Sequence, residues 1–166
     1  KDDYNIDEEK VKDAITEKTK AIIPIHLNGR ISKMDQLENI AKENNLIVIE
    51  DAAQAMGSKY NGKKAGSFGT AGCFSLHPMK TLNCAGDGGF ISTNDDEMSE
   101  KLRCLRNHGQ KTKTDLVCFG HSSRLDNLQA AILNVKFKFL NGEIKQRRKI
   151  AKIYSEQLKN LPLTLP

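Results

Sequence analysis

The 166-residue sequence predicts an α/β domain with a central, mostly parallel sheet flanked by helices. Three observations point there. Residues 21–50 read as strand, helix, strand; Leu46, Ile47, Val48 and Ile49 form an apolar run without polar alternation; and amphipathic helical segments follow two further short apolar runs. A chain of this length buries roughly 70% of the surface that its unfolded form exposes, enough for one real hydrophobic core.

The elements follow in order. Residues 21–27 are an apolar run interrupted by Pro24, which a strand tolerates at an edge or near its end. Ser32 followed by Asp35 resembles a helix-capping pattern, and Met34, Leu37, Ile40 and Ala41 recur on one face, predicting a helix to about Asn44. The run at residues 46–49 then reads as a strand buried on both faces, joined to the first by a right-handed parallel crossover. Asn61-Gly62 is a hairpin turn, and Gly66, Gly69 and Gly72 punctuate short strands and loops. Residues 73–77 and 90–93 are two more strands, separated by Pro78 and Gly86-Asp87-Gly88-Gly89. Residues 95–107 place acids first and bases later, with Gly109 as a stop, and so predict a helix. Leu125, Leu128, Ile132, Val135 and Phe139 give an apolar helical stripe that Asn141-Gly142 breaks; a last helix runs from about Glu143 to Asn160, ahead of Pro162.

Composition narrows the function. No stretch approaches the ~18 apolar residues of a membrane span, and the polar start (Lys1, Asp2, Asp3, Tyr4, Asn5), which lacks a methionine, carries no secretory signal; processing or truncation is expected to have produced it. Cys73, Cys84, Cys104 and Cys118 lie at intervals of 11, 20 and 14, which suits neither a zinc site nor a redox pair. Free thiols point to a reducing cytoplasm. The net charge of +5 invites nucleic acid as a partner, but Lys145, Arg147, Arg148, Lys149 and Lys152 read as the solvated face of a helix. Ile144, Ile150, Ile153 and Tyr154 are then expected on its apolar face, and no aromatic platform for bases accompanies the cluster.

Glu50-Asp51 ends the buried strand, where open α/β sheets bind ligands. A carboxylate there either serves a ligand or caps the next segment. Lysines are mostly surface residues, yet Lys80 has an unusual setting between an apolar strand with Pro78 and a glycine-rich turn. That turn matches neither a P-loop nor a dinucleotide fingerprint. No metal-like spacing links His26, His77 and His108, and a packed, hydrogen-bonded role is the expectation for His26 and His108 and stands for His77 beside a role toward substrate.

Together, Glu50-Asp51-Ala52-Ala53-Gln54-Ala55, Gly66-Ser67-Phe68-Gly69, Phe74-Ser75-Leu76-His77-Pro78-Met79-Lys80 and Gly86-Asp87-Gly88-Gly89 resemble the DegT/DnrJ/EryC1/StrS family of sugar aminotransferases. The likeness continues through Leu105-Arg106-Asn107-His108-Gly109 and Ser123-Arg124-Leu125-Asp126-Asn127-Leu128-Gln129-Ala130-Ala131, and covers residues 5–162. It implies part of the large domain of a fold-type I transferase dependent on pyridoxal 5'-phosphate (PLP). It further implies that Lys80 carries the cofactor as a Schiff base, Asp51 pairs with its pyridine nitrogen, Gln54 faces its ring oxygen and Ser75 holds its phosphate. Where the family usually has asparagine for a neighbouring subunit's phosphate, this chain has Ser122; His77 is implied on the substrate side, and Met56, Met79 and Thr81 also depart from the family's usual residues.

The implied reaction turns a nucleotide-linked keto-sugar into an amino-sugar, with glutamate as amino donor, in a cytoplasmic homodimer without metal. Residues 1–161 would be a partial PLP-binding large domain lacking its N-terminal segment, and residues 162–166 the start of a C-terminal small domain; such a fragment is expected to be inactive alone. Two alternatives stand beside this reading. One is a PLP-dependent sugar dehydratase, although those relatives carry histidine where Lys80 stands; the other is a non-catalytic homologue acting in binding or assembly.

Overall fold

A computed structural model describes residues 4–165 of the chain; Lys1, Asp2, Asp3 and Pro166, at the two ends of the expected domain boundaries, lie outside them. The first helix, α1 (Glu8–Ala14), begins where the Asp7 side chain accepts the Lys10 N–H at 3.4 Å. Its seven residues bury little beyond Val11, too few apolar positions for a periodic signal, and the sequence reading missed it.

Strand β1 (Ala21–Ile22) is shorter than the predicted 21–27. Pro24 has no N–H to give, so the ladder stops and resumes only as a single bridge from Ile25 to Asp51. Helix α2 (Met34–Glu43) buries Met34, Leu37, Ile40 and Ala41 as expected. Ser32 does not cap it. The Ser32 hydroxyl donates to the Ile25 carbonyl at 3.3 Å and its N–H to His26 Nδ1 at 3.3 Å, which leaves Lys33 at the cap position with no side-chain bond.

Strand β2 (Ile47–Asp51) pairs in parallel with β1, completing the predicted crossover unit. A small hairpin, β3 (Lys59–Tyr60) and β4 (Lys63–Lys64), turns through Asn61 and Gly62, both at positive φ. Strand β5 (Ala71–Ser75) runs parallel to β2, and β6 (Gly89–Ser92) antiparallel to β5, giving a sheet of order β1-β2-β5-β6 that is mostly parallel, as predicted. Helix α3 (Asp96–Leu105) lies within the predicted residues 95–107; Asp95 caps it by accepting the Met98 N–H at 3.0 Å, and positive φ at His108 and Gly109 turns the chain away.

Helix α2 covers one face of the sheet, where Ile22, Val48, Leu37, Ile40 and Phe68 share a core cluster. The opposite face is open among the described residues: Ile23, Ile25 and Ile91 are exposed, and Ile47 is 46% exposed. Burial on both faces, predicted for residues 46–49, is therefore not met within this chain.

The C-terminal helices also depart from expectation. Helix α4 (Asn127–Phe137) buries Leu133, while Leu128 (71% exposed), Val135 and Phe139 from the predicted stripe face outward. Leu133 joins Leu76, Leu82, Cys84 and Leu140 in a second cluster beneath the loop after β5. Helix α5 (Leu140–Leu158) begins ahead of Asn141-Gly142, so the break falls at Lys138 and Phe139 instead. Drawing Leu140 into that cluster sets the bend, and a glycine in a first helical turn is easily tolerated. The basic residues of α5 are exposed as expected, but so are Ile150, Ile153 and Tyr154, expected on a buried face.

One buried carboxylate joins three segments. Glu50 is fully buried; its Oε2 accepts His26 Nε2–H at 2.9 Å and the Gly66 N–H at 2.8 Å, and its Oε1 accepts the Phe68 N–H at 2.7 Å. Because His26 Nδ1 accepts the Ser32 N–H, the ring proton sits on Nε2. His26 is thus the packed, hydrogen-bonded histidine expected. Gly66 is required by close approach: at its φ of 80°, a Cβ would lie 2.3 Å from the Phe74 ring. Replacing Glu50 by glutamine sets an NH2 against at least one of three N–H donors. Glu50→Gln is expected to lower stability by about 1–3 kcal/mol in urea unfolding, and an unchanged midpoint would refute the hub.

Candidate active site

The sheet register assembles the site. Asp51 pairs with Cys73, and Ser75 lies two residues further along β5. Alternate residues of a strand face opposite sides, so Asp51, Cys73 and Ser75 share the open face while Glu50 and Phe74 belong to the covered one. Electrostatics agrees: the Cys73 thiol is pushed up, first by burial and then by the negative charge of Asp51.

Asp51 is tied at every backbone group. Its N–H donates to the Pro24 carbonyl at 2.9 Å, its carbonyl accepts the His26 N–H at 3.0 Å, and its Oδ1 accepts the Ala53 N–H at 3.1 Å in a local turn. The other carboxylate oxygen has no hydrogen-bond partner among the described residues. Gln54 follows on the exposed turn, where its Oε1 accepts the Asn28 N–H at 2.7 Å and holds that residue at a positive φ of 54°. Its Nε2 remains free to donate.

Strand β5 delivers the remaining groups. Ser75 Oγ accepts the His77 N–H at 3.3 Å, leaving its own proton for another acceptor. His77 is exposed, and its Nδ1 accepts the Met79 N–H at 3.2 Å. Lys80 is partly buried; its N–H donates to the His77 carbonyl at 2.8 Å and its carbonyl accepts Asn83 Nδ2–H at 2.7 Å. No side chain among the described residues pairs with its ammonium group. Ser122 stays apart, exposed and bridged through its backbone to Asn107, with no side-chain hydrogen bond to Asp51, Gln54, Ser75 or Lys80.

The free atoms form a definite set. They are one amine, one carboxylate oxygen, one amide NH2 and one hydroxyl proton, at the carboxyl end of parallel strands where α/β folds hold ligands. PLP has a carbonyl for an amine, a ring nitrogen for a carboxylate, and a ring oxygen and a phosphate for N–H and O–H donors, so this donor set fits it. Among the described residues no group of three His, Cys, Asp or Glu side chains could hold a metal ion, and no helix is long and apolar enough to cross a membrane. Sequence patterns do not mark the support beneath the set: Glu50 stands out only as the neighbour of Asp51, and Gln129, which accepts the Ala85 N–H at 2.9 Å, only as part of a family likeness.

The shared face of Asp51 and Cys73 has a measurable consequence. Removing the Asp51 charge withdraws one cause that raises the Cys73 thiol, so its thiolate fraction rises. In Asp51→Asn, iodoacetamide at neutral pH is expected to modify Cys73 faster than in the wild type, with exposed Cys118 unchanged as the internal standard. Equal Cys73 rates, followed by peptide mass spectrometry, would separate the two side chains.

Known proteins share both sequence and shape with this chain. It matches the model of the DegT/DnrJ/EryC1/StrS aminotransferase family over residues 1–166. It is 54% identical over 155 residues to a pleiotropic regulatory protein of Geobacillus stearothermophilus, covering 93% of this chain and 42% of that protein. It is 49% identical over 163 residues to the dTDP-3-amino-3,6-dideoxy-alpha-D-galactopyranose transaminase of Aneurinibacillus thermoaerophilus, covering 98% and 45% respectively. The crystal structure of S. venezuelae DesV in complex with a ketimine intermediate matches with a TM-score of 0.94 at 39% identity, over 99% of this chain and 46% of that one. The chain therefore spans a little under half the length of these relatives. With its motifs in order, its sheet topology shared and its whole length matched, the chain belongs to the DegT/DnrJ/EryC1/StrS aminotransferase family.

Proposed function

We propose that this chain serves a PLP-dependent aminotransferase that converts a nucleotide-linked keto-sugar into an amino-sugar, taking nitrogen from an amino acid, with glutamate the donor suggested by resemblance. The observation that carries the reading is the Lys80 amine, partly buried yet unpaired among the described residues, on the loop that leaves the Asp51–Ser75 face. Two relatives support the substrate class: one is named for a dTDP-amino-sugar and the other, DesV, was captured with a ketimine.

When bound, the cofactor supplies an electron sink for the carbanion formed at the donor's α-carbon. The protein's residues do the rest. Lys80 Nζ would hold the cofactor covalently and, as a free amine, would take and return the proton at the donor's α-carbon. Asp51 keeps the ring nitrogen protonated through its free oxygen, a role suited to a carboxylate already oriented by Ala53. Gln54 donates its free NH2 to the ring oxygen, and Ser75 donates its hydroxyl to the phosphate. His77, exposed beside them, contacts the substrate, and Ser122 serves the phosphate of a neighbouring subunit in a cytoplasmic homodimer. Residues 1–161 then form part of the PLP-binding large domain, and residues 162–166 lead toward a small domain. Lysine rather than histidine at position 80 favours amino transfer over dehydration.

Borohydride reduction of the cofactor-loaded full-length protein is expected to label the peptide containing Lys80. Lys80→Ala should lose that label and slow transamination by at least about 10²-fold. Asp51→Asn should keep the label yet lose most of its turnover, since the sink is weakened while the amine is untouched. Label recovered on a different lysine would overturn the assignment.

A further inference from the structure

Gln129, Leu133 and Lys136 stand at i, i+4 and i+7 on α4, one face of the helix, and all three meet the loop that carries Lys80. Leu133 packs in the cluster with Leu76, Leu82 and Cys84. One turn before it, Gln129 takes both backbone groups of Ala85, accepting its N–H at 2.9 Å and donating to its carbonyl at 3.4 Å. Toward the other end, the Lys136 ammonium donates to the Asn83 carbonyl at 3.2 Å and to Asn83 Oδ1. The same Asn83 side chain donates Nδ2–H to the Lys80 carbonyl at 2.7 Å.

We infer that Lys136, acting through Asn83, is a positioning residue that sets where the Lys80 backbone sits and hence where its amine is presented. The inference rests on the reading of Lys80 as the cofactor lysine. An ammonium has donors only, so it dictates which end of the Asn83 amide faces it. The oxygen turns to Lys136 and the NH2 is left for Lys80. A neutral residue at position 136 would leave Asn83 Oδ1 without its cationic donor, and the amide held only by its own bond to the Lys80 carbonyl. The bond to the ammonium is also charge-assisted, about twice as strong as a neutral one.

Within the loop, the Lys80 N–H bonds the His77 carbonyl and the Met79 N–H bonds His77 Nδ1, and Leu140 of α5 packs on its apolar side. Its base is closed by Leu76 N–H to the Gly88 carbonyl and Cys84 N–H to the Leu76 carbonyl, both at 2.8 Å, whereas Met79 at its outer end is 88% exposed. Between base and tip, Gln129 and Lys136 of α4 supply the side-chain hydrogen bonds that reach its backbone from outside the loop. A misplacement of about 1 Å costs a reacting group on the order of 10²-fold in rate, so this support bears directly on chemistry.

Three variants of the full-length protein test it, each loaded with a limiting amount of PLP and reduced with borohydride, with Lys80 labelling timed by peptide mass spectrometry. Lys136→Met is expected to label at least about tenfold more slowly than wild type. Lys136→Arg, which keeps a cationic donor, should stay within about twofold. Asn83→Asp separates positioning from mere clamping: the carboxylate still accepts from Lys136 but has nothing to donate to the Lys80 carbonyl. It should label as slowly as Lys136→Met; fast labelling in either variant overturns the inference. If the wild type itself carries no label on Lys80, the cofactor assignment fails instead. Amide hydrogen exchange without cofactor then decides: faster exchange across residues 80–85 in Lys136→Met supports positioning by Lys136, and unchanged exchange overturns it.

Discussion

The buried Glu50 carboxylate is the constraint around which the rest of this chain is arranged. It gathers N–H groups from His26 and from Gly66 and Phe68, so that three segments meet, its own strand included. A fully buried carboxylate is tolerable only when its oxygens are saturated in this way, so those segments have little freedom to move apart. Because a strand alternates its faces, the next residue, Asp51, must emerge on the opposite side. The buried carboxylate and the one on the open face are consecutive in sequence but separated by the sheet. That separation lets one be fully satisfied while the other keeps a free oxygen.

The same division recurs in the loop after β5. Its apolar side, Leu76, Leu82 and Cys84, packs on Leu133 and Leu140, while its polar backbone is met by Gln129 and Lys136. Helix α4 is therefore amphipathic in a way that hydropathy misreads. Leu128 and Val135 of its apolar stripe face outward within this chain, and its inward face carries, beside Leu133, two polar residues whose partners are loop backbone and an amide. The open sheet face with Ile23, Ile25 and Ile47 has the same character. Apolar periodicity reports that a face is destined to be covered; it does not say which neighbour covers it.

Local signals were legible wherever a short segment decides its own conformation. Asn61-Gly62 takes the two positive φ angles that a tight hairpin needs, Asp95 caps α3, and the apolar spacing of α2 matches its buried residues. Reading failed where distant groups competed. Ser32 was lost as a cap because Ile25 and His26 claim its hydroxyl and N–H, β1 was cut short by Pro24, and α5 starts early because Leu140 is drawn into a distant cluster. No window of neighbouring residues contains those competitors.

By itself the sequence determined the fold class, the crossover unit and, through its ordered motifs, the family and the candidate site residues, since periodicity, turn chemistry and motif spacing are written along the chain. Tertiary structure alone decided which of those residues keep free atoms. Asp51 retains an unpartnered oxygen and Lys80 an unpartnered amine, whereas Glu50 and His26, no less polar, are fully engaged. The physical reason is that hydrogen-bond satisfaction belongs to pairs of groups brought together from remote positions, and sheet register, not sequence proximity, selects the pairs.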